Sequence, residues 1–222
     1  KVFVEEREGT LSVLVDSSAS MEAGGPAGMA TVSKFHQARR LAAALAYLGL
    51  CGLNRVSVGL IQDRLVRWQP PVRGRSQAHT LFRVLQEARP GGATDLNAAL
   101  KEFAARSTRP GRVVVLSDFL QPGAGLEGLR VLRQHREEVL VAQILDPGEL
   151  APQPGGDLRL VDSETGQSRE VTLDTRLVEA YRKALNGLCR DLETWCQRHG
   201  CACLRFCSDA PTRETVLKML RR

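Results

Sequence analysis

The sequence predicts an α/β fold: a doubly wound, mostly parallel central sheet of about six strands with helices on both faces. Three observations carry that expectation. Short apolar runs rich in β-branched residues recur along the chain, as in Leu11 to Val15, Val56 to Ile61 and Arg112 to Leu116. Segments of helical length, with apolar residues spaced three and four apart, separate them. Continuous rather than alternating apolar runs belong to strands covered on both faces, as parallel strands are.

Leu11 to Val15 reads as the first buried strand and ends in Asp16-Ser17-Ser18. A loop containing Gly24 to Gly28 follows, and Lys34 to Leu50, rich in Ala and Leu, reads as a helix covered on nearly all sides. Asn54-Arg55 breaks it before the second strand, Val56 to Ile61. Leu65 to Trp68 reads as a short third strand stopped by Pro70-Pro71. Gln77 to Ala88 has helical spacing and ends at Pro90-Gly91-Gly92. Leu96 to Ala105 is the next helix, with Thr94 or Asp95 as its cap. Arg112 to Leu116 is a strand ending in Ser117-Asp118, and Leu126 to His135 is helical. Val139 to Leu145 is a strand stopped by Asp146-Pro147-Gly148. Alternation at Leu158 to Val161 and Arg169 to Leu173 predicts a β-hairpin insertion near 157–173, at a sheet edge. Asp174 to His199 is a long helix, Cys201 to Phe206 the last strand and Thr212 to Leu220 the last helix. With no repeat and no convincing linker, residues 1–222 read as one domain; the best candidate break, Pro147 to Gly156, reads as the lead-in to the hairpin.

Composition narrows the function classes. The 222 residues are 43% hydrophobic, enough for a sizeable core. The net charge of +6 is dispersed and aromatics are only 5%, which argues against a nucleic-acid surface, where basic stripes and stacking aromatics are expected. The longest apolar run, Leu41 to Leu53, is too short to span a membrane. Six cysteines include no CxxC pair; they read as small buried hydrophobes, reduced as in a cytoplasmic protein. The four histidines lie far apart in sequence, and none has a partner at metal-ligand spacing.

Three loops at predicted strand ends carry small oxygen-bearing residues: Asp16, Ser18 and Ser20 in a D-x-S-x-S pattern, Thr94 after a glycine turn, and Asp118 after the fourth core strand. In open α/β sheets, ligands sit at such ends. Mg²⁺ takes about six oxygens and gives up water reluctantly. Hydroxyls of Ser18, Ser20 and Thr94 would bind it directly or through water, and Asp16 and Asp118 would hold it electrostatically. Neutral ligands leave the ion under-neutralised, so it welcomes a carboxylate from another molecule. Each loop alone is equally well a helix cap or turn. Asp95 is as well a cap as an orienting residue, and Asp146, Glu149, Asp162 and Glu164 read as turn and strand-end residues rather than as a second acidic cluster.

Asp16, Ser18, Ser20, Thr94 and Asp118 resemble the metal-ion-dependent adhesion site of von Willebrand factor A domains. The resemblance implies that the two serines and the threonine face the metal and that the aspartates act chiefly through water. Nearly the whole chain resembles a bacterial family called domain of unknown function 58. The matching pieces are Val4-Glu5-Glu6-Arg7-Glu8, Leu14 to Met21, Val115 to Phe119, Ile144 to Glu149 and Val161 to Gly166. Ala93, between the glycine pair and Thr94, is a small departure. Members of that family often carry a further region before this segment, so Lys1 is not expected to be the natural start. The family's association with MoxR-type AAA+ ATPases implies such a partner, or its client.

The expectation is therefore a protein-binding module that uses Mg²⁺ (or Mn²⁺ or Ca²⁺) to take a partner's carboxylate, cytoplasmic in this segment, with membrane association of the full-length protein left open. Two alternatives stand beside it: a metal-assisted hydrolase or phosphatase, and a structural domain with a vestigial metal site. No residue is expected to be catalytic, because no general base stands at motif spacing and no P-loop occurs.

Overall fold

Strand β1 (Thr10–Asp16) pairs in parallel on both sides, with β2 (Arg55–Ile61) and with β4 (Arg112–Ser117). The structure, a computed structural model, describes residues 9–22, 32–135, 137–152, 156–161 and 167–221. The Val4 to Glu8 motif, the Gly24 to Gly28 loop and the hairpin tip with Asp162 and Glu164 lie outside those residues. The main sheet has the order β3-β2-β1-β4-β5-β8, where β3 is Leu65–Arg73, β5 Glu138–Leu145 and β8 Ala202–Cys207. All its pairings are parallel except β2 with β3. The chain winds outward from β1 to β3, then crosses back to β4 on the other side of β1. That reversal leaves a crevice at the carboxyl ends of β1 and β4, and the expected doubly wound α/β architecture is the one observed.

The period of two assigns each strand residue to a layer. Val13, Val15, Val114 and Leu116 pack under α1 (Lys34–Cys51), α2 (Ala78–Glu87) and α7 (Thr212–Leu220). Leu14, Val113 and Val115 pack under α3 (Leu96–Arg106), α4 (Leu126–Gln134) and α6 (Thr175–Arg198). Side-chain caps start several helices where expected: Ser33 accepts from the His36 amide, Asp95 from Ala98 and Asp174 from Leu177.

Three expectations need correction. Strand β3 runs to Arg73, straight through Pro70-Pro71, because it is the sheet's edge. Its register shifts between Val56–Val72 and Val58–Gln69, so the two prolines stand opposite the single residue Ser57 in a bulge, where missing donors cost least. The hairpin is real, as β6 (Gly156–Val161) and β7 (Ser168–Leu173), but it forms its own two-stranded ribbon rather than extending the main sheet. Finally, Pro147 does not open a bare lead-in. Pro147–Leu150 is a short helix, α5, with a full capping box: Asp146 accepts from Gly148, and Glu149 accepts from the Asp146 amide.

Helices α3 and α4 meet closely at Gly128, where an added Cβ would stand 2.6 Å from Leu100 Cβ and 3.2 Å from the Asn97 carbonyl. Neither atom is the end of a flexible side chain, so the helices must part. Gly128→Ala is expected to destabilise the domain by about 1–3 kcal/mol, read as a lowered urea midpoint at unchanged slope. An unshifted midpoint would mean that this contact is not tight.

Candidate metal centre

The crevice between β1 and β4 receives one loop from each of three strand ends. The β1 loop is held first by its own chain. Asp16, fully buried, accepts on Oδ1 from the Ser18 amide at 2.9 Å and from the Ser18 hydroxyl at 2.7 Å. Its Oδ2 accepts from the Ser117 hydroxyl of β4 at 2.6 Å. The carboxylate thus joins the two strand ends across the switch point. Ser18 and Ser20 hydroxyls lie 3.0 Å apart.

The glycine turn is tied to this loop by backbone. Gly91 donates to the Ser17 carbonyl at 2.9 Å, and the Gly92 carbonyl accepts from Ala19 at 3.1 Å. Gly92 has φ +74°, which a side chain would strain. Gln62 locks both loops: its side chain donates to Ser17 and its carbonyl accepts from Asp95. Thr94 is therefore carried to the crevice despite Ala93, while Asp95 is spent as a helix cap.

The third loop turns sharply after Asp118. Phe119 has φ +52°, a left-handed conformation that costs a side-chain-bearing residue about 1–2 kcal/mol. Amide bonds from Phe119 to the Ser117 hydroxyl and from Leu120 to Asp118 Oδ1, both 3.3 Å, hold it there. Gln143 donates to the Asp118 carbonyl from the neighbouring strand.

All five predicted residues meet. Ser20, Thr94 and Asp118 line one cavity of about 200 Å³, with Asp16 and Ser18 buried behind Ser20. Two further lining residues, Lys34 and Glu149, were not assigned to the site from sequence. Lys34 opens α1, and its Nζ lies 2.7 Å from Asp118 Oδ2 and 2.5 Å from Glu149 Oε1, with its side chain 2% exposed. Glu149 reaches it from α5, so the capping box also places a carboxylate at the site. A lysine at the first turn of an amphipathic helix carries no local signal for this. Ser117, adjacent to Asp118, was visible as part of the strand end only.

The charges can be counted. Burial, reinforced by Asp118, pushes Asp16 up from 3.8 to about 6. Burial pulls Lys34 down, but Asp118 and Glu149 outweigh it and hold the ammonium charged. Burial also raises Glu149. One cation, Lys34, is thus shared by Asp118 and Glu149, while Asp16, beside Asp118, is held by hydroxyls and an amide. The donor set suits a hard divalent ion: Ser18 gives its proton to Asp16 and so turns oxygen lone pairs outward, and Ser20, Thr94 and Asp118 add oxygens. Among the described residues no group of three or more His, Cys, Asp or Glu side chains is arranged to hold a metal, and this set is largely of hydroxyls.

Comparisons with known proteins agree with this geometry at the level of family and fold. The family model described as "Protein of unknown function DUF58" matches residues 1–187. An uncharacterized protein of Mycobacterium tuberculosis, Rv1480, is 31% identical over 185 residues, which is 82% of this chain and 57% of the relative. The chain therefore spans little more than half the length of that relative. Among solved structures, the conserved hypothetical protein BatB of Bacteroides thetaiotaomicron superposes with a TM-score of 0.57 at 15% identity, covering 96% of this chain and 98% of that one. An aerotolerance-related membrane protein of Bacteroides fragilis gives 0.57 at 18%, covering 96% and 97%. At such identities these structures speak for the fold. No helix among the described residues is long and apolar enough to cross a membrane.

Two predictions follow from the charges. In the folded chain Asp16 binds its proton more tightly than in the unfolded chain, so its contribution to stability falls as pH rises from about 4 to about 6. Raising the carboxyl from its ordinary 3.8 to about 6 corresponds to about 3 kcal/mol lost across that window in metal-free protein. Urea midpoints of the parent and Asp16→Asn should diverge over this range, the parent falling further; parallel profiles would refute the assignment. Lys34→Met leaves Asp118 and Glu149 buried without their cation and should cost about 3–5 kcal/mol at pH 7.5. A cost under about 1 kcal/mol would mean that the ion pair is not desolvated.

Proposed function

The chain belongs to the DUF58 family, and from that premise we propose that it is a von Willebrand factor A-like, divalent-cation-dependent protein-binding module. The observation that carries the reading is Asp16: a fully buried carboxylate, hydrogen-bonded into β4 and raised to about 6 beside a second carboxylate, behind the wall of a cavity that Ser20 and Thr94 line. A divalent ion there offsets both carboxylates. Ser18, Ser20 and Thr94 would hold it directly, and Asp16 and Asp118 would hold it mainly through water. The ion supplies an electrophilic centre of incomplete coordination, which a carboxylate from a partner completes. Mg²⁺ or Mn²⁺ suits a donor set this small better than Ca²⁺, which takes up to eight oxygens. The partner class that family membership suggests is a MoxR-type AAA+ ATPase or its client.

A non-catalytic role is part of the same reading. Among the described residues the one basic side chain lining the cavity is Lys34, and its two ion pairs keep it protonated, so it is unsuited to remove a proton from water or substrate.

Calorimetric titration of Mg²⁺ into chelator-treated protein tests the reading. Saturable binding is expected in the parent. Ser20→Ala, which deletes one hydroxyl at the cavity wall, should weaken it ten-fold or more, about 1.4 kcal/mol, with the urea midpoint unchanged. Equal affinity in parent and variant would sink the proposed ligand set.

A further inference from the structure

At the opposite end of β1 the sheet carries a second, chemically different cavity, of about 190 Å³. Thr10 and Arg55, the first residues of β1 and β2, lie on its wall, so it is separated from Asp16 by the length of a seven-residue strand, roughly 20 Å. Three arginines line it, Arg55, Arg106 and Arg109, and among the described residues no Asp or Glu does; Arg55 already holds an interaction of its own. Arg109 has no side-chain partner among the described residues. Arg106 gives Nη2 to Glu102, which leaves most of its five donors unused.

Two buried donors stand in the same wall. Trp68 Nε1 is buried and has no hydrogen-bond partner among the described residues, although the indole packs edge-on against Phe103. A buried N–H is ordinarily paired, and an orphaned one beside a cavity needs an acceptor. Ser12, also buried, accepts from Ser57 and keeps its own proton to donate. Among the described residues the nearby carboxylates, Glu102 and Glu137, already have partners. Glu137, just behind the wall, is held by the Ser107 hydroxyl and the Gly111 amide. The last turn of α3 points about half a negative charge this way, which three guanidinium groups outweigh.

We propose that this cavity is an oxyanion site for a compact phosphate group, with Arg55, Arg106 and Arg109 supplying charge and Trp68 and Ser12 supplying N–H and O–H donors from the interior. The size excludes bulky ligands, since pockets for drug-sized molecules run from about 300 Å³ upward. Planar guanidinium forks match phosphate oxygens, and the indole, a donor only, faces the cavity with an N–H that a phosphate oxygen can accept. The site is independent of the cation reading.

The test uses the chelator-treated chain carrying Trp195→Phe, so that Trp68 is the one tryptophan left. Sodium phosphate and glycerol phosphate are titrated separately, each against sodium chloride of equal ionic strength. A saturable change in Trp68 fluorescence is expected with at least one of them. Tighter binding of phosphate assigns the free ion, and tighter binding of glycerol phosphate assigns a phosphomonoester. Arg109→Gln, at an exposed position, should weaken binding five-fold or more. Trp68→Phe, read by calorimetry because it removes the fluorophore, should do the same. A response matched by chloride, or affinities unchanged in both variants, overturns the proposal.

Discussion

The burial of Asp16 is the constraint around which the upper half of this domain is arranged. A carboxylate at the end of the central strand, with no exposed surface, has to be compensated where it stands. The chain uses neighbours already at hand: an amide and a hydroxyl two residues on, and a hydroxyl from the adjacent parallel strand. Parallel pairing of β1 with β4 places Ser117 beside Asp16, at the switch point of the strand order. The site is therefore a consequence of strand order, built from residues 101 positions apart.

These hydrogen bonds lower the cost of the charge without removing it, for Asp16 still rises to about 6. Asp118 is treated differently. It has a full cation, Lys34, on one oxygen and an amide on the other. The two aspartates thus differ in what they ask of an added ion. Among the described residues Asp16 has no cation beside it, whereas Asp118 shares Lys34 with Glu149 and would meet an ion through an intervening water. Lys34 also binds Glu149, so α5 and the start of α1 close over the same flank of the cavity.

Much of this was legible in the sequence, for reasons that can be named. Continuous apolar runs such as Val113 to Leu116 disclose two-sided burial, and Asp-Ser at their ends discloses an open carboxyl edge. All five predicted site residues sit where those ends converge. Lys34 was invisible because its partners are 84 and 115 residues away and its own surroundings read as an ordinary helix start. Glu149 was seen as a turn residue, which it is; the capping box explains its position but conceals its second role. Edge strand β3 was cut short because proline was taken as a stop, and the bulge opposite Ser57 that admits two prolines leaves no mark in composition.

The fixed lysine bears on how such a site could choose its partner. With Lys34 present, the described cluster of Asp16, Asp118, Glu149 and Lys34 carries about two negative charges when all are ionised, and a divalent ion brings it near neutrality. Without the lysine the same ion would leave an excess negative charge, and an incoming carboxylate would be repelled. The ammonium would therefore do in the fold what the proposed hydroxyl ligands would do at the ion: each would withhold negative charge from the centre. A carboxylate arriving at the open coordination position then meets a surface that is no longer acidic. Under the proposed function such an arrangement would trade metal affinity for partner affinity, because a third carboxylate ligand in place of Lys34 would grip the ion harder and offer less to anything outside.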